Sequence, residues 1–566
     1  MKFTSRIYRN ALLPAMAMLG ALTTSCTDYL TIIPSNMVVE EKFWQTKDQV
    51  NGMLATSYLE LLSTDAVTRA IVWGESRSDN MTFHATSYNS HIKDIIEANA
   101  TDENDFARWD VFYRAISQAN LVLETADVVL DRDPDFTEGD RDVVKGEMYA
   151  MRALCHFYLV RSFRDIPLAY HSAKNDADIP DYVQVTPLVA LDSIMVDLDR
   201  AERLVMKSGA YSTREQNYGR ITRNAVLAMK ADVNLWRAAF TKYAELNPNS
   251  ATADKFYAEC VQNCRAVIAN MDKLLEEENE GKVVEVYPYN LIPNIGEKED
   301  KEKEKNSTSY AEIFGSKNSQ EAIFELQVEG TNITNNHARG IINMYGTEDK
   351  NNGKMIVPDG FVRSNYDEDD LRAYAYTNLK DYKNATSLSI TKYSAKSSPA
   401  SKGDYRSESD YDANWIIYRK SDVLLMLAEA LVSKTTTSDA ELTESFDIVH
   451  AIDRRSRIDT AKVVFVKEEY MEPAKMQELV RKERLRELSY EGKRWYDLVR
   501  LALCENNTNS VKFVADRLTE NSAVVKTKMS NIDALFMPIH INELRFNKNL
   551  KQNPAYEQKE AGNEMN

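Results

Sequence analysis

A mainly α-helical fold, with a tetratricopeptide-repeat-like helical core and a loop-rich insert containing short strands, is what this sequence predicts. Three patterns predict it. Apolar residues recur at steps of three and four through long windows before residue 275 and again after residue 414. The windows succeed one another as pairs, in a phase consistent with degenerate tetratricopeptide repeats of about 34 residues, although periodicity alone gives only a mostly α chain. Between the two helical blocks, residues 330–410 are rich in Asn, Ser, Gly, Tyr and Asp and hold few helical windows.

The first residues read as a targeting segment. Lys2, Arg6 and Arg9 precede an apolar stretch over 11–22, which is too short to span a bilayer and the right size for a signal-peptide core. Thr23, Thr24 and Ser25 follow, and then Cys26, the first cysteine. A cysteine in that place resembles a bacterial lipoprotein cleavage site, where the thiol takes a diacylglyceryl group. The expected anchor is therefore acyl chains on Cys26, each buried methylene adding about 0.8 kcal/mol of membrane affinity. Pro34 keeps the following tether extended.

Helical spacing starts over 50–62. Residues 73–105 break it with Trp73, Phe83, His84, Tyr88 and His91 among polar residues, and a loop is expected there. Phe106, Trp109, Phe112, Tyr113, Ile116, Asn120 and Leu123 form a stripe predicting a helix over 106–130, ended by Asp131, Asp133 and Pro134. A second long helix is expected over 138–163, then others over 187–207, 222–242 and 254–271. The run at 297–305 is all charge and reads as a solvated loop. Residues 321–329 alternate well enough for a short strand. Helix is expected again at 415–432, 443–457 and 473–502. These readings divide the chain into a signal peptide (1–25) and one domain (26–566). The domain comprises a helical core (40–275 and 414–502), an irregular ligand and loop region (276–413) and a C-terminal wrap (503–566).

Composition narrows the function classes. Acidic residues number 87 against 70 basic ones, a net charge of −17, which argues against a general nucleic-acid binder. Five cysteines are too few for a disulfide scaffold. The sequence holds no dinucleotide, P-loop, HExxH or GxSxG pattern, so no catalytic residue, metal ligand or cofactor is assigned. Cys260 and Cys264 are four apart on a helix with no further Cys or His pair nearby, which reads as packing and not as zinc binding. Glycoside hydrolysis needs two carboxylates facing a cleft, and a single sequence does not show such a distance.

Seven stretches occur in order: WGESRSDN (73–80), WDVFYRAISQANLVLE (109–124), GEMYAMRALCHFYLVRSFRDIPL (146–168), GRITRNAVLAMKADVNLW (219–236), NWIIYRKSDVLLMLAEAL (414–431), RKERLRELSYEGKRWYDLVR (481–500) and MPIHINELRFNKNLKQNP (537–554). Together they resemble the SusD/RagB family of outer-membrane nutrient-binding lipoproteins of Bacteroidetes over essentially the whole chain. The family's usual glycine before Asp-Ile-Pro is Arg164 here. The resemblance implies a helical core with tetratricopeptide-like pairs and a surface-exposed lipoprotein, lipid-anchored in the cell outer membrane and facing the exterior. It implies a lid over a SusC-like, TonB-dependent transporter that captures glycan or, in some members, peptide, with no catalytic residues. A hydrolase of the same polymer and a structural partner of the transporter are the competing classes.

Arg152, Glu429, Glu483, Arg484, Glu487, Arg494 and Trp495 lie on amphipathic helices and are expected to satisfy one another between helices. Ligand contact is expected from the 73–91 segment: a Trp73 face to stack on sugar, with Arg77, Asp79 and Asn80 for hydroxyls, and His84 and Tyr88 beside them. From the middle insert, Tyr345, Arg363, Tyr366 and Arg372 are added as ligand candidates.

Overall fold

A computed structural model describes residues 43–172, 182–279, 287–294, 308–329, 338–347, 353–396, 405–459, 461–462, 464–518 and 521–557. Cys26 with its signal segment, the charged run at 297–305 and parts of 330–410 lie outside the described residues.

The first block is a succession of helices: α1 (Lys47–Leu62), α2 (Thr64–Glu75), α3 (Ser90–Ile96), α4 (Asp110–Leu130), α5 (Glu138–Phe163), α6 (Pro187–Leu204), α7 (Arg223–Ala244) and α8 (Ala251–Glu278). Helices α4 to α8 each pack on the next in chain order. The 138–163 expectation matches α5 residue for residue. Its start is fixed by a capping box, in which Thr137 accepts from Asp140 N while the Asp140 carboxylate accepts from Thr137 N. The second block holds α9 (Thr308–Gly315), α10 (Gly340–Tyr345), α11 (Lys420–Val432), α12 (Asp439–Arg455), α13 (Pro473–Leu488), α14 (Arg494–Glu505), α15 (Phe513–Asp516) and α16 (Ser522–Met529). Helices α7 and α8 carry the core across by packing on α14 and α11 respectively. No described helix is long and apolar enough to cross a membrane.

Strand is sparse: antiparallel pairs join β1 (Thr82–Phe83) to β5 (Met355–Ile356), β2 (Ile166–Pro167) to β3 (Gln184–Val185), and β4 (Ala322–Leu326) to β6 (Trp415–Arg419). The last pairing registers Ala322 with Arg419 and Leu326 with Trp415, with an irregularity between.

Three expectations are corrected. The loop expected over 73–105 contains the end of α2, strand β1 and all of α3. Helix α2 is buried at every position from Ala66 to Glu75, so it has no polar face to give a period. The helix expected from residue 415 begins at Lys420, because the β-branched and aromatic run at 415–419 pairs with β4 as a strand. The helix expected over 473–502 is two helices. Between α13 and α14, Tyr490 and Gly492 turn the backbone at φ 69° and 70°. Glycine is required here: the Gly74 Cα lies so close that an added Cβ would sit 1.9 Å from the Gly492 carbonyl oxygen.

After α16 the chain runs back over the first block. Met537 N donates to Ser162 O at 2.7 Å and Ile541 N to Asp102 O at 2.8 Å.

Candidate functional site

The end of α2 and the residues that follow it hold the fold together from inside. Trp73 is 1% exposed; its indole N–H donates to Phe106 O at 2.7 Å and its ring packs on Phe112 and Phe163. Glu75 is buried and its carboxylate accepts from the backbone N–H groups of Tyr490, Lys493 and Arg494 and from the Asn80 amide at 2.6 Å. Burial pushes Glu75 up to about 7 against the pull of those donors. This carboxylate thereby satisfies the turn between α13 and α14, whose N–H groups would otherwise be orphaned.

Six of the sequence-named ligand residues are therefore corrected. Trp73, Arg77, Asn80, Tyr345, Tyr366 and Arg372 are buried. Arg77 donates to Ala534 O and Leu535 O and lies 4.4 Å over the Trp495 ring. The Tyr345 hydroxyl donates to Tyr490 O, and that of Tyr366 to Arg486 O. Arg372 pairs with Asp370, Glu483 and Glu487. Asp79 is partly exposed and bidentate to Arg494, at 2.8 and 2.7 Å. His84 is half-buried, its Nδ1 accepting from Thr86 N and Ser87 N. Tyr88 is 47% exposed, and Arg363 is exposed with its guanidinium donating to Lys383 O.

Asp79, Met81, Thr82 and Phe83 of the 73–91 segment line a cleft of about 1180 Å³. One wall is β1, held by β5 through Thr82↔Ile356 and Phe83↔Met355. Helix α3 forms the next wall; Asn89 caps it by accepting from Ile92 N at 3.2 Å. The far side comes from α15, with Arg517 just past its end, and from α16, which carries Lys528, and Pro358 and Asp359 close the rim. Phe83 lines the cleft, and Tyr88 packs against it with ring centroids 5.8 Å apart. Lys93 Nζ lies 5.4 Å over the Phe83 ring and 5.7 Å over that of Tyr88.

Two of the cleft's cations are half-buried. Burial, with Arg77 adding repulsion, pulls Lys528 down to about 8. Burial pulls Arg517 down to about 10, opposed by Asp79 and Glu97. An aromatic face beside fixed donors suits hydroxylated ring ligands. A second cleft of about 450 Å³ is lined by Glu429, Arg484, Asp497 and Arg500, whose charges are spent on one another. Among the described residues, no group of three or more His, Cys, Asp and Glu side chains is placed to hold a metal ion.

Lys93, Arg517 and Lys528 escaped the sequence reading. Nothing in a single sequence brings residues 513–528 to face residues 82–99.

Comparison with known proteins matches two family models. The SusD family matches residues 339–556, and a family described as starch-binding associating with outer membrane matches residues 28–235. A SusD-like protein P38 of Formosa agariphila is 24% identical over 95% of this chain and 97% of its own. A SusD superfamily protein from Bacteroides vulgatus superposes with a TM-score of 0.64 at 19% identity, covering 91% of this chain and all of that one. A putative sugar binding protein from the same organism gives 0.62 at 20% identity, over 91% and 99% of the two chains.

Proposed function

This chain belongs to the SusD/RagB superfamily, and from that premise we propose that it is a surface-exposed outer-membrane lipoprotein which binds an oligosaccharide and delivers it to a TonB-dependent, SusC-like transporter. The observation that carries the binding reading is the cleft, where half-buried Phe83, packed against the exposed Tyr88, stands beside fixed cationic donors. The name of the B. vulgatus relative, a putative sugar binding protein, supports the ligand class. The helices from α4 to α8, each packed on its successor, fit tetratricopeptide-like pairing of the core. The anchor is acylated Cys26, preceded by the apolar 11–22 segment. Persistence of fatty-acid labelling in Cys26→Ala would remove that anchor from the account.

Electrophoresis of the purified chain through gels carrying a panel of polysaccharides tests the binding. Retention by at least one polymer is expected, without release of reducing ends, and at least several-fold weaker retention in the double variant Phe83→Ala, Tyr88→Ala. Affinity at an open face should be modest, about micromolar or weaker, since many ligand groups stay in water. Absence of retention by every polysaccharide, with retention by a peptide library instead, would replace glycan by peptide as the cargo.

A further inference from the structure

We propose that the oligosaccharide taken by this cleft is anionic, its carboxylate or sulfate groups meeting Lys528 and Arg517 while a ring lies against Phe83. The inference rests on the glycan-capture reading and adds the ligand's charge to it.

The observation is a set of cations without carboxylate partners. Lys528 Nζ donates to Ala98 O at 3.1 Å and lies 4.2 Å over the Tyr556 ring. The Arg517 guanidinium donates to Ser78 O and Ile96 O, both main-chain carbonyls, and its Nε is buried with no hydrogen-bond partner. Behind them, Arg77 ends on the carbonyls of Ala534 and Leu535 and has the Tyr556 hydroxyl beside it. Among the described residues none of the three lies within ion-pair distance of a carboxylate, whereas buried arginines elsewhere, such as Arg372 and Arg419, each hold two or more.

Carbonyl dipoles do not neutralise a positive charge, so the desolvation of these cations is left uncompensated. Acidic groups around the cleft are engaged elsewhere or stand off. Asp79 is bidentate to Arg494, Glu97 lies 4.0 Å from Lys93, and Asp359 accepts from Ser387 N. Asp516 is exposed at the rim. An incoming anion would meet two half-buried cations with no carboxylate within ion-pair distance, where partial exclusion of water strengthens the attraction, while a neutral sugar would leave them unpaired. In a chain of net charge −17 such a positive cleft is local, so it acts on a bound ligand and not by long-range steering.

Gel retention by matched polymers tests this. Polygalacturonate is paired with fully methyl-esterified pectin, which removes the charge and keeps the backbone. Chondroitin and chondroitin sulfate separate carboxylate from sulfate, and starch and xylan serve as neutral polymers. The expected result is retention by a charged polymer, weakened at least tenfold in its neutral counterpart and in Lys528→Gln, and largely restored in Lys528→Arg. If Lys528→Gln proves unfolded by circular dichroism, Lys93→Gln on the opposite wall serves, with a several-fold loss expected. Retention by neutral polymers alone overturns the charge assignment and leaves glycan capture standing. Charged-polymer retention untouched by these substitutions places the anion elsewhere and overturns the cleft assignment. Retention by none of the polymers removes glycan capture and this inference with it.

Discussion

A buried group of cations and a half-buried one are treated in opposite ways in this protein. Between α13, β6 and α12, Arg372, Arg419 and Arg455 converge on Glu487, with Asp370, Glu321, Glu483 and Glu491 completing the cluster, and every one of these side chains is fully buried. Across the cleft, Arg517 and Lys528 end on main-chain carbonyls. In the first group charge is answered by charge and the cluster serves the fold. In the second the answer is missing. The charged run at 481–500, expected from the sequence to be satisfied between helices, supplies Glu483, Glu487 and Glu491 to the first group. The inconspicuous residues at 513–528 belong to the second. Buried charge is thus a guide to function only when its partners are counted.

The comparison breaks most severely if Glu487 is dispensable. Glu487→Gln leaves Arg372, Arg419 and Arg455 short of a shared carboxylate, and a loss of about 3–5 kcal/mol is expected from urea unfolding. A loss below about 1 kcal/mol would mean that the cluster holds nothing together.

The two groups also predict opposite limbs of the pH–stability curve. Burial opposes ionisation of Glu491, but Arg419 and Lys392 outweigh it and hold the group down at about 2. Glu487 is held well below the ordinary range in the same way, by Arg455, Arg419 and Arg372 against burial. For both, the stabilisation is fully present above about 4.5, the unfolded value, and is lost as pH falls toward 2. Lys528 acts on the alkaline side, with the same sign of slope, because its charged form opposes folding where the carboxylates support it. Its folded value, about 8, lies below the unfolded 10.5, so between those limits the unfolded chain binds more protons and stability rises with pH. The difference between wild type and Lys528→Gln should show that rise, at most about 1.4 kcal/mol per pH unit. A flat difference curve would show Lys528 to be well solvated.

How much of this was legible depended on whether a residue's partners lay nearby in sequence. Helix α5 was readable to its ends because its apolar stripe and its Thr137 cap are local. Helix α2 was not, since burial on all sides erases periodicity, and β6 was not, since a continuous apolar run such as 415–419 fits either a buried helix or a buried strand. Trp73, Arg77 and Asn80 looked like an exposed recognition loop because their partners, Phe106, Leu535 and Glu75 with its turn at 490–494, lie mostly far along the chain. Arg164 was readable as a departure from the family's glycine but not for its reason. It sits at φ 69°, ψ −78°, the centre of a γ-turn closed by Asp165 N donating to Phe163 O at 3.0 Å. Arg164→Gly should relieve a backbone cost of about 1–3 kcal/mol and give up surface ion pairs to Asp165 and Asp533 of at most about 1 kcal/mol each. A small net gain in melting temperature is expected, the least of these effects; a clear loss would mean that the pairs outweigh the strain.

The most direct test sets one residue from each group side by side, Glu487→Gln and Lys528→Gln, each assayed for unfolding midpoint and for retention by the charged polymer that holds the wild type. The account predicts that Lys528→Gln keeps or slightly raises its midpoint while losing at least tenfold in retention. It predicts that Glu487→Gln loses stability while its folded fraction is retained as the wild type is. A Lys528→Gln variant that melts early and still binds would contradict it.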